Sequence, residues 1–430
     1  MRRAHFLSPA ILMLCGALSA LAQPGGSRFS VRDYQARGDG SSDDQAAIEA
    51  TIAAARQAGG GVIFFPPGVY LHSGVLNFGS NMMVTGAGAG PTVIQATNPT
   101  LSALRFANAS NCGVSNLKIA GAPSPRKQND ESAGILLVDS SHCRVNGIAI
   151  DGGASAGILI HGSQDVQVAG NDIRNEMADG VHVVAGSNRV LVENNTAFNT
   201  GDDSFAAVAY AKDPQTTGVT IRNNTSTNSR ARGVTCIGAA DCLITGNTIS
   251  NPHSHGIAVA FETSYNTHHP RHVTVADNTI AGVAGSGMNA ILIDGAEDVR
   301  LQRNHVLASN AVFIHNSAGI ALEEMSIEDS RGPAILARDS SDLRLRRNHL
   351  MRSGGPGILL ERVQGGEVSE NHLEDARSGG DAQRGDIDIA SSSHLTGSGN
   401  TVRHGAASRG PRRGIRVADS DSTDVKTVDN

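Results

Sequence analysis

The sequence predicts an all-β fold, a right-handed parallel β-helix of about twelve coils with a helical cap at its N-terminal end. Three observations predict it. A short apolar alternation ending in Asn recurs along the chain, a second apolar pulse precedes it in each repeat, and the composition is rich in Gly and poor in aromatics.

The recurring unit reads "VQVAGNDI", "VLVENNTA", "VTIRNNTS", "LITGNTI", "VTVADNTI", "VRLQRNHV" and "LRLRRNHL", with weaker copies "EVSENHL" and "GNTV". Its Asn falls at 171, 195, 224, 247, 278, 304, 348, 371 and 400. Leu117 and Ile148 hold that place in two earlier repeats, and Met325 fills the one gap. Spacings of about 21 to 31 residues match one coil of a large solenoid. The upstream pulses ("AGILLV", "AGILIHG", "DGVHVV", "RGVTCIG", "HGIAVAF", "NAILIDG") also alternate with period two. Both pulses are therefore strands with one face in and one face out. Asn at one corner suits a bend, because it tolerates left-handed backbone and its amide reaches the next coil. A leucine-rich repeat would need several Leu and a helix in each unit, and these are absent.

The chain has 430 residues with 50 Gly, no Trp and 18% charged residues. A net charge of −6, with no basic run beyond "RRGIR", excludes nucleic acid as a partner, since phosphate contacts need clustered Lys and Arg. Residues 1–22 read as a secretory signal peptide: Arg2 and Arg3, a short apolar run, then Ala20-Leu21-Ala22 before Gln23. Residues 23–430 read as a single β-helix domain, secreted or periplasmic, monomeric and without a membrane span. Within it, 23–75 form the cap segment and about 110–430 the coils. The cap contains a helix from about Asp44 to Gln57, with Asp43 or Asp44 as its cap and Gly59 to Gly61 as its stop. Cys112, Cys143, Cys236 and Cys242 read as buried thiols or one local disulfide, and no metal or cofactor is expected.

Aligning the upstream pulses stacks Ala133, Ala156, Asp179, Asp203, Arg232, His255 and Asn289 in one column. Four consecutive coils thus present ionisable groups, and Asp202 lies beside them. His182, Tyr210, Arg230, His253, Glu262, Tyr265 and the pair His268-His269 crowd the same coils, whereas a solvated face would scatter its charges. Asp386, near this column far along the chain, reads as a surface charge. Carboxylates a coil apart suit acid–base work at a glycosidic bond, with one carboxyl kept protonated by its like-charged neighbours. Arg232 and His255, with His182, Tyr210, Arg230, Glu262 and Tyr265, read as substrate-binding.

Two resemblances extend this reading. Residues 29–74, "FSVRDYQARGDGSSDDQ…GGGVIFFPPGVYLHSG", closely resemble the N-terminal segment of the pectate-lyase/polygalacturonase superfamily. "MADGVHV" and "GDDSFA", 23 to 24 residues apart, resemble motifs on successive turns of the polygalacturonases of glycoside hydrolase family 28. That resemblance implies Asp202 as general acid, with Asp179 and Asp203 activating water in an inverting hydrolysis. The next coil departs from the pattern, with Arg232 where that family has His, and the family's Arg-Ile-Lys motif is not found. The sequence thus predicts a secreted glycoside hydrolase acting on a polysaccharide or oligosaccharide. A polysaccharide lyase or epimerase acting on a uronate-containing glycan is the alternative, with Arg232, His255 or Tyr265 as base. A carbohydrate-binding solenoid without catalysis is the third.

Overall fold

The structure is a computed structural model that describes residues 26–283, 285–310, 312–376, 383–405, 414–418 and 422–428. Residues 1–22, which read as a signal peptide in the sequence, lie outside this range. Three parallel sheets of 16, 15 and 14 strands run the length of a solenoid. In each sheet every neighbour is the strand one coil earlier or later. Inward side chains from all three sheets form one continuous core of Ile, Val, Leu and Ala, from Val31 to Leu395. Chains this poor in aromatics fill such a core because the three walls are close together and β-branched residues pack well on pleated strands.

The rungs start earlier than the Asn pattern indicates. Arg28–Ser30, Asp39–Asp43 and Leu76–Phe78 already open the first, second and third sheets, so rungs outnumber the dozen read from the repeat. The early rungs lack the Asn and bend through Gly instead, which is why periodicity misses them. The helix Gln45–Gln57 packs Ile48 and Ile52 against the open end of the core. Asp44 does not cap it through its side chain; its carboxylate accepts the amides of Arg37 and Gly38. Asp43 accepts the amide of Gln45.

The buried Asn side chains form a ladder. Each side-chain amide donates to the next Asn oxygen and to a backbone carbonyl, as Asn247 does to Asn278 Oδ1 and Ile221 O, both at 2.9 Å. The two jobs assigned to this corner are divided between neighbours. The residue just before the ladder Asn takes the left-handed backbone (Asn194, Asn223, Asp277, each with φ near +55°), and the buried Asn supplies the hydrogen bonds. Met325 interrupts the ladder between Asn304 and Asn348. Disulfides join Cys112 to Cys143 on adjacent coils and Cys236 to Cys242 within one, two bridges where at most one was expected.

Candidate active site

Four third-sheet strands position the site: Val181–Val184, Phe205–Val208, Val234–Ile237 and Ile257–Ala260. Val181, Phe205, Val234 and Ile257 are in register and point inward. The residues two positions before them stack as the sequence indicates: Asp179, Asp203, Arg232 and His255. Three of the four column members, Asp179, Asp203 and His255, accept an amide from the next coil. Asp203 N–H donates to Asp179 Oδ1 at 3.0 Å, Arg232 N–H to Asp203 Oδ1 at 2.9 Å, and Asn289 N–H to His255 Nδ1 at 3.0 Å. The column is thus a second set of coil-to-coil hydrogen bonds, broken at Arg232, that carries charge.

The outward residues of these strands are small (Ala206, Val208, Ile237, Ala258), which leaves a shallow apolar floor. Loops 121–131, 209–216 and 261–270 wall it. Gln215 and His268 tie the second and third loops together, the latter through Nε2 to Asp213 O at 3.0 Å. Two adjoining cavities of about 350 and 270 Å³ lie between the walls and share Arg126, Gln128, Asp179, His182 and Tyr210. Lys127 and Lys212 line the smaller cavity; Asp202, Asp203, Arg232, Glu262 and Tyr265 line the larger.

Asp179 and Asp203 have both oxygens engaged. Asp179 Oδ2 sits 2.7 Å from His182 Nδ1. Asp203 Oδ1 also accepts Arg232 Nε at 2.8 Å, and Asp203 Oδ2 accepts the Thr235 hydroxyl at 3.1 Å. Arg232 reaches on to Glu262, so one guanidinium bridges two carboxylates. Asp202 is more open, with Oδ2 accepting from Arg126 at 2.6 Å.

Burial pushes the Asp203 carboxyl up to about 6; Arg232 opposes this, while Asp179 and Asp202 repel the charge further. Its donors on both oxygens keep it ionised at neutral pH. Burial disfavours charge on His182, yet the Asp179 carboxylate outweighs that and raises its pKa above the usual histidine value. Burial also raises Tyr210, helped by Asp179 and Glu262, so its hydroxyl stays protonated.

Of the residues expected at the site, Asp179, Asp202, Asp203, His182, Tyr210, Arg232, Glu262 and Tyr265 surround one cleft. His255 does not line it: it is half-buried beside Arg232, and burial together with that guanidinium lowers it to about 4, a neutral acceptor for Asn289. Arg230 points to solvent away from both cavities. Asp386 is fully buried and paired with His404 at 3.1 Å, not a surface charge. Arg126 and Gln128, from the loop before the third-sheet strand Ile135–Val138, were not foreseen. That loop is Pro- and Ser-rich and lies three coils from Asp202 in sequence, so no local motif points to it. One oxygen from each of Asp179, Asp202 and Asp203 lies within 4.8 Å of the others, close enough to share a cation. Arg126 pairs with Asp202, and Arg232 is shared between Asp203 and Glu262.

Residues 28–258 match the family model described as rhamnogalacturonase A/epimerase, pectate lyase-like. The chain belongs to this family. Residues 232–386 and 265–430 also match the right-handed β-helix region. Among curated relatives, the mannuronan C5-epimerases AlgE3 and AlgE5 of Azotobacter vinelandii are each 29% identical, over 59% and 64% of this chain. Alginate lyase 7 of the same organism is 38% identical over 22% of the chain. The matched parts span only 14% and 26% of the two epimerases' own lengths. In fold, the catalytic unit of a GH87 α-1,3-glucanase from Streptomyces thermodiastaticus covers 95% of this chain at a TM-score of 0.63, and the chain covers 68% of it, with 19% identity. The AlgE4 A-module of Azotobacter vinelandii covers 93% at a TM-score of 0.50, also with 19% identity, and is itself covered in full. The fold and family are those of carbohydrate-active β-helix enzymes.

Proposed function

We propose that this protein abstracts the C5 proton of a uronosyl residue in an acidic polysaccharide and returns a proton to the opposite face, a C5-epimerisation. The observation that carries this reading is the Asp179–His182 pair. Asp179 holds His182 Nδ1, which leaves Nε2 as the free nitrogen in a cleft that His182 lines on both sides. A carboxylate that fixes the tautomer of a histidine makes the other nitrogen a base.

The remaining groups fit the reaction. C5–H is acidic only when the adjacent carboxylate is neutralised, and the forked Arg126 guanidinium can take a uronate while still holding Asp202. Lys127 and Lys212, beside Asp130 and Asp213, line the smaller cavity, where neighbouring uronates of a polymer would lie. His182 Nε2 takes the proton from C5, the electron pair passes into the uronate carboxylate, and the Tyr210 hydroxyl donates to C5 from the other side. If the C4–O4 bond breaks instead, the same base gives a lyase. Tyr265, largely exposed at the rim, offers a ring for a sugar face.

Hydrolysis by the Asp trio is less well supported. Two of the three have no free oxygen. The relatives named for C5-epimerisation and alginate lysis support proton abstraction as well.

Polymannuronate, polygalacturonate and a neutral glucan are the test substrates. Proton NMR reports epimers, ultraviolet absorbance reports 4,5-unsaturated uronate, and a reducing-end assay reports hydrolysis. The proposal expects epimers, with or without unsaturated ends, on a polyuronate. New saturated reducing ends alone would overturn it.

A further inference from the structure

Among the described residues, a second group of metal-ligating side chains lies far from the cleft, on the outer face of the second sheet. Strands His349–Met351 and His372–Glu374 are adjacent and in register, with His349 opposite His372 and Met351 opposite Glu374. Side chains two apart in a strand share a face. Leu350 and Leu373 point into the core, so His349, Met351, His372 and Glu374 form a two-by-two patch facing outward. The two imidazoles lie 5.1 Å apart between ring centres. One donor atom each from His349, His372 and Glu374 falls within 4.8 Å of the other two.

We propose that this patch is a binding site for a divalent ion of the zinc class, with His349, His372 and Glu374 as ligands and water completing the coordination. Two imidazoles and a carboxylate are the donor set that zinc and its neighbours prefer; calcium and magnesium prefer all-oxygen sites. With metal–ligand distances near 2.1 Å, tetrahedral ligands sit about 3.4 Å apart, so small side-chain rotations suffice. His372 is already oriented: its Nδ1 lies 2.6 Å from the Thr401 hydroxyl on the next coil, which leaves Nε2 for the ion. An outer partner of this kind fixes the tautomer of a ligating histidine. Arg403, opposite Glu374 one coil on, is the nearby charge that opposes a cation. A bound ion would tie two coils together near the C-terminal end, remote from the Asp179 cleft, so this inference does not depend on the proposed reaction.

The test is calorimetric titration of the tag-free full-length protein with Zn²⁺, beside Ca²⁺ and Mg²⁺, in the native sequence and in H349A, H372A and T401V. The expected result is one saturable Zn²⁺ site, absent for Ca²⁺ and Mg²⁺. It is weakened at least about tenfold in either histidine variant, and measurably weakened in T401V. All variants should melt as the metal-free native protein does, because these side chains face solvent. Zinc binding of equal affinity in H349A and H372A, or no stoichiometric binding at all, would overturn the proposal.

Discussion

Replacing Asp179 with Asn probes the pair on which the proposed chemistry rests. Asn keeps the shape of Asp, and its carbonyl oxygen can still accept the Asp203 amide now held at 3.0 Å, so the rung should survive. The 2.7 Å bond to His182 changes in kind. Losing a charge-assisted hydrogen bond costs about 1.5–3 kcal/mol, or roughly 10- to 150-fold in rate. The Asn amide would also donate to Nδ1, forcing the proton onto Nε2 and removing the base, so a total loss of about 10³–10⁴ in kcat is expected. The pH profile separates this from a general defect. Asp179 raises the His182 pKa, and only neutral His182 can act as base, so activity rises as pH climbs through that raised value. Without the carboxylate the pKa falls, and the acid limb of kcat/KM must move to lower pH. Epimer formation followed by NMR across roughly pH 5 to 9, with thermal melting as a folding control, gives both numbers. Activity within about threefold of native, with an unmoved limb, would refute the role of the pair.

Arg126→Ala should raise KM for a polyuronate by about tenfold or more and lower kcat less, with partial rescue in Arg126→Lys; equal effects on both constants would count against a carboxylate clamp. Glu176 is buried with neither oxygen in a well-formed hydrogen bond, and burial raises its carboxyl to about 8 against the weaker opposing pull of the Gly153 and Gly152 amides. The neutral form is therefore favoured in the folded state, and its stability contribution, complete below about pH 4, is lost as pH rises toward 8. Glu176→Gln should accordingly gain on the native protein over that span, by up to about 4 kcal/mol in urea unfolding; a pH-independent difference would show that Glu176 is not held neutral. Met325→Asn should close the gap between Asn304 and Asn348 and raise stability by about 1 kcal/mol, whereas Asn247→Ala, which strips buried partners from Asn224, Asn278 and Ile221, should cost about 2–4 kcal/mol. Urea midpoints of the two variants moving in the same direction would contradict the ladder.

How much the sequence reveals depends on whether a residue's role is repeated. The recurring Asn, the paired apolar pulses and the Asp179–Asp203–Arg232–His255 column are all legible, because one backbone register places equivalent residues on successive rungs. The earliest rungs escaped, since Gly and Pro bends replace Asn there. Within the site, types and register brought Asp179, Asp203 and Arg232 together, but their partners decide their roles. That Asp203 is spent on Arg232 and Thr235, and His255 on an amide of Asn289, follows from side-chain geometry that no spacing encodes. Arg126 stayed hidden for a different reason: a loop three coils away in sequence folds over the floor to meet Asp202. Asp386 reads as a surface charge in sequence because its partner, His404, belongs to the following coil.

Solvent deuterium incorporation tests the central claim most directly. The enzyme is incubated with polymannuronate in D₂O, and the polymer is examined by NMR. Proton abstraction by His182 with return of a proton from the opposite face predicts deuterium at C5 of the inverted residues, and none in the His182→Ala variant. Cleavage of the polymer with every C5 still carrying protium would contradict it.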